Sequence, residues 1–149
     1  MTDLPPLPRT QRTIDAKHLQ LLSIFHFVGA GLAFLGILFV AAHFAVVHSV
    51  FGNPSFWQQQ KQPVPPPQLM ALFKWFYLVM ALWFIVSGAL NIISGLCLRA
   101  RKYQTFSIVV AAINCLHLPL GTILGVFTIV VLMRDSVGEL YQASGRPAF

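Results

Sequence analysis

Residues 103–133 read YQTFSIVVAAINCLHLPLGTILGVFTIVVLM, a run of 31 residues without a charged side chain. A helix rises about 1.5 Å per residue, so about 20 residues cross a hydrocarbon core of about 30 Å. The run is therefore long for one span and short for two. Pro119 and Gly121 interrupt it, and both residue types are typical of helix ends. We predict two helices, at about 102–118 and 122–142, joined by a tight hairpin turn at Pro119 and Gly121.

The rest of the chain has the composition of a membrane protein. It is 56% hydrophobic and only 9% charged, whereas soluble domains carry about 25% charged residues. Two further uncharged runs, between Lys17 and Lys61 and between Lys74 and Arg99, predict helices at about 18–47 and 68–98. The first run is longer than the apolar part of a cleavable signal, so we expect that helix to remain as an anchor.

These segments predict one domain, an all-α membrane protein with a four-transmembrane-helix bundle over residues 18–142. The loop at 48–67 lies outside and contains three consecutive prolines, which favour an extended chain. We expect residues 1–17 to be a disordered cytoplasmic N-terminus and residues 143–149 to be a cytoplasmic tail.

The basic residues predict the orientation, because short cytoplasmic loops carry an excess of Lys and Arg. With four spans and the N-terminus inside, only Lys61 and Lys74 lie outside. The eight others lie inside: Arg9, Arg12, Lys17, Arg99, Arg101, Lys102, Arg134 and Arg146. A single kinked span at 103–133 would reduce this bias to six against four. We therefore predict a membrane protein with both termini in the cytoplasm, anchored at the interfaces by Trp57, Lys74, Trp75, Arg99, Arg101, Lys102 and Arg134.

Polar side chains within the predicted spans are expected to face the interior of the bundle. Counted from the nearest cytoplasmic charge, four of them lie about 12–18 Å into the membrane. They predict an interior polar layer of His26, Ser87, Asn91 and Asn114. Its simplest role is hydrogen bonding between helices, at about 0.6 kcal/mol per bond. The last predicted helix continues past Arg134 as an amphipathic tail on the membrane surface, so all four acids of the chain lie outside the predicted spans. This counts against the alternative role, a relay for protons or small solutes.

Three other histidines are expected near the outer surface: His43, His48 and His117. Their imidazoles could bind zinc or copper, although His43 and His48 are five residues apart and point in different directions. Because the hairpin is short, we also predict a shallow outer pocket with His117 on its wall. Haem between His26 and His117 requires equal depth, and the two differ by about 9 Å. We expect no cofactor, with a metal or haem as the alternative.

The sequence carries no catalytic pattern. Cys115 and His117 point to different faces of a helix because they are two residues apart. No Gly-rich phosphate loop, serine elbow or carboxylate pair is present. The basic residues flank apolar runs and do not line one face, which does not indicate nucleic acid. We expect a protein that is not an enzyme and has no nucleic-acid partner.

Small residues recur at spacings that let helices approach closely. Gly121 and Gly125 form one small-xxx-small pair, and Gly29 and Ala33 form another. Gly88 and Gly95 lie beside the polar face of the second predicted helix. These positions predict close packing within the bundle, or an interface with a second copy or another membrane protein.

The last third of the chain resembles a group of small bacterial inner-membrane proteins with four helices. The resemblance rests on residues 118–128 (LPLGTILGVFT), 131–137 (VLMRDSV) and 139–141 (ELY), with a looser match at 22–27 (LSIFHF). It implies a four-span fold and a bacterial inner membrane, and it supplies no catalytic residues.

The sequence thus predicts a non-enzymatic inner-membrane protein that contacts the lipid bilayer and acts as an accessory subunit or a self-associating bundle. One alternative is a histidine-based redox protein that binds a metal or haem. The other is an oligomeric channel or transporter subunit lined by Ser87, Asn91 and Asn114.

Overall fold

The computed structural model describes residues 9–117 and 119–145, and every regular element in these ranges is a helix. The elements are α1 (Arg9–Phe51), α2 (Pro54–Gln59), α3 (Pro67–Ala100), α4 (Gln104–Asn114), α5 (Leu120–Leu132) and α6 (Asp135–Gly145). The all-α prediction is confirmed for these ranges. The predicted disorder of residues 1–8 and the cytoplasmic position of Arg146 concern parts of the chain outside them.

Two helices are long and apolar enough to cross a membrane, Gln11–Phe51 and Pro67–Ala100. Large apolar side chains cover their outer surfaces, and Phe39 and Leu72 are 70% and 64% exposed, as expected for helices in contact with lipid. A third span is counted only if α5 and α6, bent by 75° at their junction, are one broken helix. Length and composition therefore support a membrane protein with two or three candidate spans.

Helix α1 begins earlier than the sequence indicated. Residues 9–17, which we predicted to be disordered, are helical. The reason is tertiary, because Asp15 on this segment is fully buried and its carboxylate lies 3.6 Å from the guanidinium of Arg134. Gln11, one turn earlier, donates to both carboxylate oxygens of Asp15 at 3.3 Å. The polar composition of this segment predicted disorder, but the ion pair and the burial of Asp15 stabilise it as a helix.

The chain divides into two compact units. The first comprises the chain up to Ala30 together with the chain from Ala89 onward, and the second comprises Gly31–Gly88. Helices α4, α5 and α6 all belong to the first unit. Its apolar core combines side chains from α1, α3, α5 and α6: Leu19, Leu22, Leu98, Val131, Leu132, Val137 and Leu140.

The turn between α4 and α5 differs in detail from the prediction. Helix α4 ends at Asn114, earlier than Leu118, because Pro119 has no N–H to donate to the carbonyl of Cys115. That carbonyl instead accepts a 2.8 Å hydrogen bond from the Thr122 hydroxyl, which lies inside α5. None of the described glycines has a positive φ, so Gly121 is not needed for a left-handed reversal.

Glycines instead allow the two arms of the hairpin to touch. A Cβ on Gly125 would collide with the carbonyl oxygen of Ala111 and lie 2.5 Å from the Cys115 sulfur. A Cβ on Gly121 would lie 2.5 Å from the Asn114 carbonyl oxygen. At the other end of the hairpin, the Gln104 amide donates a 2.6 Å hydrogen bond to the carbonyl of Leu132. The two helices are thus held together at both ends.

The predicted helix over 122–142 is in fact two helices. Helix α5 ends at Leu132, and α6 starts at Asp135 after a turn in which Val137 N–H donates to the Arg134 carbonyl at 3.0 Å. The bend brings Val137 and Leu140 into the apolar core, where they are 0% and 9% exposed. Burial of these side chains offsets the loss of helical hydrogen bonds at the break.

The turn after α3 uses two left-handed residues. The N–H of Lys102 donates to the Cys97 carbonyl at 3.0 Å, and the N–H of Arg101 donates to the Leu98 carbonyl at 3.3 Å. This is the Schellman pattern, whose left-handed position is usually glycine and is here Arg101, with φ of 51°. Tyr103, with φ of 54°, then begins α4.

In the second unit, α1 and α3 contact each other through Gly36, where an added Cβ would lie 2.6 Å from the Phe84 ring. The loop after α1 contains the short helix α2, whose N-cap Asn53 accepts from the Ser55 N–H at 3.1 Å. Trp57 packs with Phe51 and Phe56, and its indole N–H donates to the Phe51 carbonyl at 3.0 Å.

We predict that Gly125→Ala destabilises the protein, because its methyl group would occupy the position of a backbone carbonyl. We expect a loss of about 2–3 kcal/mol, within the range for overpacked cores, measured by unfolding in mixed detergent micelles. Gly31→Ala, compared in detergent that keeps the chain monomeric, is the matched control, since an added Cβ there has nothing within 4 Å in the isolated chain. Its expected effect is neutral or slightly stabilising, and equal loss in both variants would contradict the close-approach argument.

Candidate functional site

The interior polar layer centres on one pair of amides in the first unit. The Asn91 side chain donates to the Asn114 Oδ1 at 3.0 Å, and the Asn114 side chain donates back to the Asn91 Oδ1 at 2.8 Å. Both residues are 4% exposed. A reciprocal pair of this kind joins α3 to the end of α4.

His26 is buried in the same unit at 0% exposure. Its Nδ1 lies 2.9 Å from the Leu22 carbonyl one turn earlier on α1. A carbonyl only accepts, so this contact places the proton on Nδ1. The Nε2 atom is also buried and has no hydrogen-bond partner among the described residues. His26 is therefore held in one tautomer by its own helix.

Ser87 does not share this unit. It lies in the Gly31–Gly88 unit and is half-buried. The other three residues of the predicted layer, His26, Asn91 and Asn114, are buried in the first unit.

Sequence reasoning missed several buried hydroxyls. Ser23 is 3% exposed and donates to the Gly95 carbonyl at 2.8 Å. Thr128 is fully buried and donates to the Leu124 carbonyl at 2.7 Å. Ser94 and Ser107 are also fully buried. A hydroxyl can bond to a carbonyl of its own helix, so a serine or threonine in the sequence is a weak indication that the position is buried. For Ser94 and Ser107, the available clue was their helical spacing from Asn91 and Asn114.

The largest omission was Asp15. Its carboxylate is fully buried, although we expected residues 1–17 to be disordered. A second pair, Arg12 with Glu139 at 3.8 Å, is more exposed and also joins α1 to α6. The signal available was the spacing of Gln11, Asp15 and Leu19, which places them on one helical face.

The outer histidines are divided between the units. His43 Nδ1 lies 2.6 Å from the Tyr77 hydroxyl, and its ring stacks on Phe39. His48 packs its ring against Phe44. Both belong to the second unit, whereas His117 lies in the hairpin turn of the first and is half-buried. Within the described residues, no three His, Cys, Asp or Glu side chains are grouped closely enough to hold a metal ion.

The small residues predicted for packing occupy different environments. An added Cβ on Gly29 would lie 3.4 Å from the Asn91 side-chain oxygen, and one on Gly95 would lie 3.2 Å from the Phe27 ring. Ala33 is 6% exposed, and Gly88 is half-buried. Among the predicted interface residues, Trp75 is 66% exposed, Lys74, Arg99 and Lys102 are exposed, and Arg134 pairs with Asp15.

Comparison with known proteins gives no further identification. No family model matches the chain, and no curated protein or solved structure is significantly similar to it. The function must therefore be argued from the geometry of the chain itself.

We predict that Asn91 and Asn114 are energetically coupled. Asn91→Leu or Asn114→Leu alone leaves one amide without its partner, whereas the double variant removes both polar groups. A double-mutant cycle on unfolding in detergent should give a coupling energy of about 1 kcal/mol, near the upper part of the range for hydrogen bonds in membranes. Ser49→Ala combined with Asn114→Leu is the control cycle and should be additive, because the exposed Ser49 hydroxyl donates to the Val46 carbonyl of its own helix. Strict additivity of the Asn91 and Asn114 variants would contradict the pair.

Proposed function

We propose that this chain is a non-enzymatic multi-pass protein of a bacterial inner membrane that acts by associating with a second copy of itself or with another membrane protein. The observation that carries the proposal is the contrast between its interior and its surface. The buried side-chain amides of Asn91 and Asn114 form hydrogen bonds to each other. The outward faces of α1 and α3 are apolar and exposed. Such a chain has its surface, and not its interior, available for function.

The same contrast argues against the channel and redox alternatives. A pore lined by Asn91 and Asn114 requires their amides to face water, and they are bonded to each other. A zinc or copper centre held by three side chains requires them in one place, and the described residues contain no such group. A role in protein–protein association requires neither a water-lined pore nor a metal centre.

One exposed face of α1 supports helix–helix association. Gly31, Leu35, Leu38, Ala42 and Ala45 follow each other at helical spacing, and all are exposed. A glycine within a helix costs about 1 kcal/mol relative to alanine, and a Cβ at Gly31 would meet no atom of the described residues within 4 Å. Close approach of a helix from another molecule would account for a glycine at this position.

We predict that Gly31→Leu weakens association without unfolding the chain, because the added side chain enters open space in the isolated molecule. Native mass spectrometry in mild detergent should show the wild-type chain as an oligomer or with a co-purifying membrane protein. Gly31→Leu should weaken that association about tenfold, or 1.4 kcal/mol. Ala71→Leu, which adds bulk at an exposed position of α3, should leave it unchanged. A wild-type chain that is strictly monomeric and purifies alone would contradict the proposal.

We further propose that both termini face the cytoplasm and that α4 and α5 form a hairpin entering from that side. Their 11 and 13 residues correspond to about 16 and 20 Å, less than a core of about 30 Å. Asn114 bonds to Asn91, which lies eight residues from Arg99, or about 12 Å along α3. These lengths support a turn near the middle of the bilayer, deeper than the outer pocket that the sequence suggested.

This depth predicts the accessibility of Leu120, which is 66% exposed at the tip of the hairpin. In a background with Cys97→Ala and Cys115→Ala, Leu120→Cys should resist a membrane-impermeant maleimide added from either side. Lys61→Cys should react from outside, and Gln142→Cys should react only in inverted vesicles. Labelling of Leu120→Cys from outside as fast as Lys61→Cys would show that the hairpin crosses the whole membrane.

A further inference from the structure

A groove of about 560 Å³ opens beside the turn that joins α3 to α4. Residues 101–104 line one side, and Gly138, Tyr141 and Gln142 of α6 line the other. The hydroxyl of Ser144 donates to the Arg101 carbonyl at 3.0 Å, which ties α6 to the turn. The groove is thus built between two elements whose positions are fixed relative to each other.

The groove carries positive charge that the described chain does not neutralise. Neither Arg101 nor Lys102 forms an ion pair within residues 9–117 and 119–145, where Asp15 pairs with Arg134 and Glu139 pairs with Arg12. Cationic side chains on a groove wall favour binding of an anion, and phosphate is an anion that both Arg and Lys commonly bind.

The Tyr141 side chain lies on the same wall. Its hydroxyl is buried, and the side chain packs against the apolar core of the first unit. Burial raises the pKa of Tyr141 to about 12. The phenol therefore adds no charge to this wall, and the charge of the groove comes from Arg101 and Lys102.

The α6 side of the groove has open space at Gly138. A Cβ there would meet nothing within 4 Å, although α6 is a helix in which glycine is unfavourable. Any larger side chain would project into the space between the two walls. Tyr103, 75% exposed on the opposite side, is an amphipathic aromatic of the kind enriched at membrane interfaces.

We propose that this groove binds the phosphate headgroup of an anionic phospholipid in the cytoplasmic leaflet, through Arg101 and Lys102. The proposal rests on the proposed cytoplasmic orientation of the α3–α4 turn and is independent of self-association. Basic pockets at the cytoplasmic ends of membrane helices are suited to such headgroups, because the charge of the leaflet is negative. The groove lies at the C-terminal end of α3, where this helix would emerge from the hydrocarbon core if it crosses the membrane.

The test measures lipid binding to the purified full chain by native mass spectrometry, with dioleoyl phosphatidylglycerol and dioleoyl phosphatidylcholine as probes. Phosphatidylglycerol should bind as one retained copy, and phosphatidylcholine should not. Lys102→Gln should weaken binding about fivefold, the share of one basic side chain at an anionic surface. Gly138→Leu should weaken it at least as much by filling the groove, without removing charge.

Arg99→Gln is the matched control, because Arg99 belongs to the same basic cluster but does not line the groove. It should bind phosphatidylglycerol like the wild-type chain. Equal binding of the two lipids would overturn the proposal. It would also be overturned if Arg99→Gln and Lys102→Gln weakened lipid binding equally and Gly138→Leu did not weaken it, because the basic residues would then attract the membrane without a specific site. If millimolar inorganic phosphate displaced the bound lipid completely, the groove would be a site for free phosphate and not for a lipid headgroup. None of these readouts depends on whether the chain self-associates, so failure here leaves the proposed association intact.

Discussion

The close approach of α4 and α5 at Gly125 is the contact on which the rest of the first unit depends. With no side chain between them, the backbone of α5 lies against the Ala111 carbonyl of α4. Thr122 and Gln104 then close the hairpin at its two ends. The hairpin in turn places Asn114 against Asn91 and brings Val131 and Leu132 into the core. A larger residue at position 125 would separate all of these contacts at once.

A second constraint is that polar groups in lipid must find partners within the protein. Pro119 removes one donor from the hairpin, and the hydroxyl of Thr122 satisfies the carbonyl left behind. The Asn91–Asn114 pair applies the same rule to side chains. At the opposite end of the unit, Asp15 is buried against Arg134, and this ion pair ties the start of α1 to the corner between α5 and α6. Polar contacts thus fix both ends of an otherwise apolar packing.

The sequence predicted the helices better than their ends. Runs without charge predicted α1 and α3, because continuous apolar length is a direct signal of a membrane helix. The division of the last helix at Met133 and Arg134 was not predicted, since no proline or glycine marks it. It depends on burial of Val137 and on the partner of Arg134, both of which come from distant parts of the chain. The role of Gly121 was also misassigned, since it provides space for Asn114 and not a left-handed turn.

By itself, the sequence determined that this chain is helical and apolar enough for a membrane, and that residues 103–133 form a hairpin broken near Pro119. These properties follow from local composition and from the missing N–H of one residue. Only the tertiary structure decided that Asn91 and Asn114 bond to each other, that Asp15 is buried, and that Arg101 and Lys102 share a groove with Tyr141. The reason is physical: each of these depends on residues far apart in the chain meeting at one place, and no local pattern specifies such a meeting.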